Sequence, residues 1–371
     1  MRRVAMATLA HDGLRTSMLV VGLAASWALV TVQLGLRRGF ELSSRAILDH
    51  VGGDVWVGSR GVKVVDDGEA ISGAAFGSPL PCVERRRPVI VDYNQARRPD
   101  GSLVTVQIVG VDAETIDRVP WSLVHSDGAT LANAGSAAID AADASRLGLH
   151  GDGRGQTLEL RSGATLRVDA VTDGARSFTQ TPYVFVDIAT ARAVTGLGDD
   201  DATFWVHDVR DARCADQVRA SLPARLATPT RAELADSTSA HWIGGSGIGM
   251  LLGAGSTMAA LVGAAVLLQS TITIVRTHAP ELVTVRALGA RRGELAAFVA
   301  WQVGAVATLA TVLALAVASA LSLLLRRAGL HVVVDGWSWV VGLSVAALST
   351  VVAASTGARV LGRIDIRKVL E

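Results

Sequence analysis

The sequence predicts a membrane protein of four transmembrane α-helices, one N-terminal and three C-terminal, with a large mixed α/β domain inserted after the first. Three observations predict it. Four stretches contain no Asp, Glu, Lys or Arg: Thr16–Leu36, Trp242–Val275, Leu295–Leu325 and Gly336–Ala358. Each reaches the roughly 20 residues that cross a bilayer as a helix. Residues 37–241, between the first and second, carry most of the acidic side chains and are patterned as short strands and helices. Finally, half of the chain is hydrophobic while only 4% is aromatic. A net charge of +1 without a basic stripe argues against a nucleic-acid partner.

Residues 1–15 form a polar lead, and residues 16–36 the first span. The apolar run is longer than a usual signal-peptide core, and no small-residue cleavage site follows it, so it reads as a retained anchor. The second span covers 242–275, the third 295–325 and the fourth 336–358. A soluble core helix seldom runs this far without a charge. The N-terminus, the loop 276–294 and the tail 359–371 share one side of the membrane. That side carries Arg2, Arg3, Arg15, Arg276, Arg286, Arg291, Arg292, Arg359, Arg363, Arg367 and Lys368, against Arg326 and Arg327 in the short opposite loop, 326–335. The positive-inside bias makes the first side cytoplasmic, with both termini inside and residues 37–241 outside. Arg37, Arg38 and Arg45 run against the bias, but they lead into a long translocated domain, where it weakens. Arginine almost without lysine, with abundant Ala and Gly, suggests a GC-rich bacterial source.

In the external domain, "GGDVWVGSRGVKVV" alternates as a half-buried strand does, and "SLVTVQIVGVD" is a second strand. "QTLELRSGATLRVDAVTD" predicts a hairpin turning at Ser162-Gly163. "TPYVFVDIATARAVTG" passes from strand to helix, with Asp187 as N-cap and Gly196 as stop. "ATFWVHDVR" is a strand, followed by a helix in "DARCADQVRASLP". Asp66–Pro99 has no assignable pattern. Cys82 and Cys214 lie in an oxidising compartment, and the sequence leaves their pairing open.

No catalytic constellation is visible. The eight histidines are scattered singly, there is no H-E-x-x-H, and "GGSGIG" lacks the strand-turn-helix setting of a nucleophile elbow. The spans hold no ionisable residue of the kind that marks an ion or proton pathway. They hold Gln33, Gln269 and Gln302, readable as interhelical hydrogen-bonding groups. Small residues at Gly245, Gly249, Gly253, Ala260 and Ala264 permit close helix contact.

One segment breaks the apolar pattern: "THAPELVTVRALGARRGEL", between the second and third spans. Pro280 suits a first helical turn and Glu281 complements the dipole there. Leu282, Val285 and Leu288 form an apolar strip beside Arg286, and Gly289 stops the helix. Periodicity alone fits equally a helix lying in the lipid interface and one that docks on a soluble partner.

The segment resembles the "E-(I/L)-x-x-(L/V)-(R/K)-A-(L/M)-G-A" motif of FtsX/MacB-like ABC transporter permeases, filled by Glu281, Leu282, Val285, Arg286, Ala287, Leu288, Gly289 and Ala290. "HWIGGSGIGMLLGAGSTMAALVGAAVLLQSTI" is similar to the second-span entry of the DevC-type branch, through Gly247, Gly249, Gly263 and Gln269. "GGDVWV" resembles the opening of that branch's external domain. "IDIRKVL" resembles its tail, with Ile366 where proline is common. The order of one span, a large external domain and three spans also agrees.

The resemblance implies a cell-membrane permease subunit whose Pro280–Gly289 coupling helix docks on a separate ABC ATPase, and which pairs with a second permease copy, most simply as a homodimer. The chain is then no enzyme and holds no cofactor; ATP and Mg2+ belong to the ATPase. Consistently, neither Lys63 nor Lys368 sits in a Walker A loop. The implied function is mechanical export of a hydrophobic or amphiphilic substrate such as a lipid, glycolipid or peptide, with an extracytoplasmic adaptor as a further partner. The alternative is an FtsX-like regulatory module controlling a cell-wall enzyme without transport.

Overall fold

The computed structural model describes residues 11, 13–78, 80–112, 131–175, 177, 179, 181–245, 247–277, 290–327 and 330–362. The chain divides into two compact units, Phe40–Ile248 and the pair Met1–Gly39 with Gly249–Glu371.

The first unit is a mixed α/β domain. In chain order it contains the end of α1 (Gly13–Ser44), α2 (Ala46–Val51), β1 (Val55–Ser59), β2 (Ile71–Ser72), β3 (Val83–Arg97), β4 (Leu103–Val111), β5 (Ser136–Asp140), β6 (Thr157–Leu160), β7 (Thr165–Thr172), β8 (Tyr183–Asp187), α3 (Ile188–Thr195), β9 (Asp201–Ala202), β10 (Phe204–Val209), α4 (Ala212–Ser221), β11 (Leu226–Ala227) and α5 (Arg231–Ala240). Nine strands run in the order β11-β1-β10-β3-β4-β8-β5-β7-β6. Because the end of β3 also pairs with β6, Ala96 opposite Leu160, β3, β4, β8, β5, β7 and β6 are hydrogen-bonded in a closed ring. The pairing is mixed: β4 with β8 and β5 with β7 are parallel, the other neighbours antiparallel.

Successive strand residues point to opposite faces, and here both faces are covered. Val55 and Val57 join one apolar cluster and Trp56 the other; Val184 and Val186 separate likewise from Tyr183 and Phe185. Continuous apolar runs such as "YVFV" therefore form strands, not helices. The expected strand at "GGDVWVGSRGVKVV" is shorter than its pattern. It ends at Ser59, where Gly61 takes a positive φ of 84° and the Val62 N–H donates to the Ser59 carbonyl (3.2 Å).

The unassignable Asp66–Pro99 stretch contains β3, a 15-residue strand. Its sequence hides this because the consecutive charges of "ERRRP" break the alternation by which a strand is recognised. The arginines find partners across the sheet: Arg87, buried, donates to Asp208 (3.1 Å) and to the Val51 carbonyl (3.1 Å), and Arg85 donates to the other Asp208 oxygen (3.2 Å). The hairpin turns at Gly163 as expected (φ 86°). Asp187 caps α3 through the Thr190 N–H (3.0 Å), and Gly196 ends it in the left-handed conformation. Cys82 and Cys214 form a disulfide, with Cα atoms 5.8 Å apart, joining the chain before β3 to α4.

The second unit holds α1 up to Gly39, α6 (Ile248–Thr277), α7 (Arg292–Arg327) and α8 (Gly336–Gly362). These supply four helices long and apolar enough to cross a membrane. They extend past the charge-free stretches because intrahelical hydrogen bonds do not depend on side-chain polarity. Packing rests on small residues. A Cβ on Gly357 would lie 2.7 Å from Thr271 Cγ2 and 2.8 Å from Val299 Cγ1; one on Gly342 would lie 2.6 Å from Thr31 Oγ1. On α6 the close approaches occur at Gly255, against Gln33, and Gly263, against Ser26, whereas Gly253 has nothing within 4 Å. The expected Gly249–Gly253 row is thus out of register with the buried face, which runs Ala259, Gly263, Leu267, Thr271, Val275. The glutamines differ from expectation too. Gln269 is exposed, and Gln302 is 2% exposed with neither amide atom hydrogen-bonded among the described residues.

Candidate functional site

The candidate coupling residues Pro280, Glu281, Leu282, Val285, Arg286, Ala287, Leu288 and Gly289 lie outside the described residues; their frame lies within them. α6 ends at Thr277 with Arg276 in its last turn, a cation complementing the helix dipole. On the other side, the Glu294 carboxylate accepts the Arg291 N–H (2.8 Å) at the start of α7. That contact satisfies a backbone donor the helix itself leaves unpaired. Ala290 packs on the apolar core of the unit, followed by buried Leu295, Phe298 and Val299. The two flanking helices meet α8 at Gly357, between Thr271 and Val299.

The external domain holds polar groups of perturbed acidity, but their partners are structural. Burial drives the His207 pKa from its ordinary 6.5 down to about 4, helped by the Arg86 guanidinium. Arg86 itself stacks 5.3 Å from the centre of Phe76 and 5.7 Å from that of Trp205. Phe76, Arg86, His207, Leu80 and Val218 line a cavity of about 120 Å³. Asp66 is buried, which raises its pKa, and it accepts hydrogen bonds from Gln107 Nε2 (2.6 Å) and Trp242 Nε1 (3.2 Å). Tyr93 is pushed up to about 12, and buried Tyr183 higher still, chiefly by desolvation. Among the described residues no group of three His, Cys, Asp or Glu side chains is placed to hold a metal ion.

Sequence reasoning missed the Asp66–Trp242 contact. Asp66 opens the stretch without periodicity, and Trp242 reads as the first residue of a span. The available signal was an aromatic with a polar edge at a membrane boundary, where such residues find hydrogen-bond partners.

With this arrangement in view, comparison with known proteins identifies the class. Residues 16–225 match the MacB-like periplasmic core domain, and residues 253–366 match the FtsX-like permease C-terminal domain. The first match alone covers more than half of the chain, so the chain belongs to the FtsX/MacB-like family of ABC transporter permeases and is a membrane protein. Among solved structures it is similar to the periplasmic region of MacB from Actinobacillus actinomycetemcomitans, at 8% identity over 54% of this chain and 94% of that one, with a TM-score of 0.37. It is similar to the extracellular domain of the noncanonic ABC-type transporter YknZ from Gram-positive bacteria, at 10% identity over 48% of this chain and 98% of that one, with a TM-score of 0.33. A domain of a putative permease protein from Porphyromonas gingivalis matches at 13% identity, 49% and 90% coverage and a TM-score of 0.33. No curated protein matches the chain.

Proposed function

We propose that this chain is the membrane subunit of an ABC exporter of the DevC-type branch. A separate ATPase docks on the Pro280–Gly289 helix, and its ATP cycle moves the external domain. Two permease copies face the ATPase pair, both termini are cytoplasmic, and ATP and Mg2+ are bound by the partner. The cargo is a hydrophobic or amphiphilic molecule, a lipid, glycolipid or peptide, handled at the outer face with or without an adaptor.

The observation that supports this most is the contrast between the middle of the four helices and the segment joining α6 to α7. The helix interiors carry no charge, and α7 buries Val306, Ala307, Ala310, Ala314 and Ala318 against its neighbours. A polar solute path would need ionisable or convergent polar groups there. Helices of this kind suit movement as packed bodies, and the charged, helix-patterned segment is where a soluble motor can grip them. An external domain of roughly 200 residues favours export over regulation of a cell-wall enzyme.

A mild-detergent pull-down of the tagged protein, read by mass spectrometry, tests the reading beside the Glu281→Ala, Leu288→Asp double variant. A P-loop ATPase retained by the wild type and lost from the variant is the expected result. Equal retention by both removes the coupling-helix assignment. No ATPase with either protein, under conditions that keep the permease folded, removes the transporter assignment.

A further inference from the structure

The chain leaves the external domain through residues 241–247, and the contacts there are unlike those of an ordinary linker. α5 is held firmly. A reciprocal capping box between Thr230 and Glu233 starts it, Leu234, Ala235 and Thr238 are buried, and Ser237 Oγ donates to the Lys63 carbonyl (2.6 Å). At His241–Gly245 the backbone widens into one π-helical turn, a geometry found mostly as short insertions, often at functional sites. Inside that turn the Trp242 indole N–H donates to Asp66 Oδ2 (3.2 Å), while Asp66 Oδ1 accepts from Gln107 Nε2 (2.6 Å).

Gln107 is 1% exposed and stands in the middle of β4, between β3 and β8 in the closed ring. Asp66 thus ties the exit of the domain to the centre of its sheet. Directly beyond the tie come Gly244, Gly245 and Gly247; Gly244 and Gly247 have no atom within 4 Å of a would-be Cβ, and Gly247 takes a φ of +75°. A fixed point is followed at once by a joint.

A buried carboxylate is a poor choice for stability alone, because apolar residues of the same volume do as well without the desolvation cost. What a carboxylate between two N–H donors adds is direction. It accepts along two defined lines and resists slippage in a way that apolar packing does not.

We propose that the Trp242–Asp66–Gln107 bridge is the transmission point through which displacement of α6 reaches strand β4, with Gly244, Gly245 and Gly247 as its joint. The proposal rests on the exporter reading for the source of the displacement. Asp66 and Trp242 are positioning residues: they touch neither cargo nor nucleotide. Without the bridge, a pull on α6 is absorbed by unwinding the π turn.

The test uses the full-length protein with its co-purified ATPase, in the wild type, Trp242→Phe and Asp66→Leu. Phenylalanine keeps an aromatic ring but loses the N–H; leucine keeps a similar volume but removes both acceptor oxygens. Without nucleotide, hydrogen exchange at residues 241–245 is expected to rise about tenfold in both variants, the loss of one hydrogen bond to a charged group. Exchange in β5 and β8 stays unchanged. Unchanged exchange at 241–245 overturns the bridge, whatever the protein's function. With ATP, the wild type is expected to change its exchange across Leu103–Val111, and Trp242→Phe to lose that change while still hydrolysing ATP. A variant that keeps the wild-type response overturns transmission and leaves the exporter reading intact. A wild type that retains its ATPase but shows no response overturns both.

Discussion

In the external domain polar groups meet named partners at short range: Arg85 and Arg87 on Asp208, Asp187 on the first turn of α3, Thr230 with Glu233, Ser136 on Asp169. Among the four long helices the close contacts are instead a glycine against a side chain: Gly357 on Thr271 and Val299, Gly342 on Thr31, Gly263 on Ser26. The difference follows from the solvent. In water, burying apolar surface drives assembly, and polar groups must be re-paired when water leaves them. In lipid, a leucine is as well solvated by an acyl chain as by another leucine, so association depends on how closely backbones approach. One chain therefore carries two chemistries of cohesion, and each should fail in its own way.

The largest expected effect is on the covalent tie. Replacing Cys82 and Cys214 by serine should destabilise the external domain by about 2–5 kcal/mol, since the bond closes a long loop in the unfolded chain. Thermal unfolding in detergent should show the external transition falling while the helical signal of the membrane unit persists. A parallel fall of both would mean that the two regions do not unfold separately.

Acid comes next. His207 titrates near 4 in the fold against 6.5 when unfolded. The unfolded chain therefore binds one more proton between those values, and stability is lost as pH falls from about 6.5 towards 4. The full loss is about 3 kcal/mol. His207→Phe should flatten that part of the pH profile of the external transition. A wild-type profile unchanged by the substitution would rule out His207 as the titrating group.

The smallest effect is expected in the membrane unit. Gly357→Leu should cost about 1–3 kcal/mol by overpacking against Thr271 and Val299. It should appear as faster proteolysis of the helices, with the external transition unmoved. Tolerance of leucine there would mean that the helices around Gly357 are not close-packed.

Much of this was legible beforehand where a local rule decides the outcome. Asp187 and Gly196 bracket α3 because a carboxylate satisfies the first-turn N–H groups and glycine adopts the left-handed stop. The Ser162-Gly163 turn shows itself for the same reason. What stayed hidden depends on distant partners. β3 stayed unassigned because Asp208, which pairs with Arg85 and Arg87, lies 121 residues away from Arg87. The glycine row on α6 was read one register off, because periodicity locates a stripe only when one face differs in polarity, and here every face is apolar. Asp66 carried no signal at all until the fold set Gln107 and Trp242 around it.

By itself the sequence determined four spans, an inserted α/β domain, the capped helices and turns, and the motif that marks the permease family. The spans, domain, caps and turns follow from composition, periodicity or spacing within a few residues; the family follows from the resemblance of the motif. Only the tertiary structure decided the closing of six strands into a ring, the joining of Cys82 to Cys214, the glycines on which the helices meet, and the bridge from Trp242 to β4. Each of those joins residues far apart along the chain, and their proximity is set by the packing of the whole fold and not by any local preference.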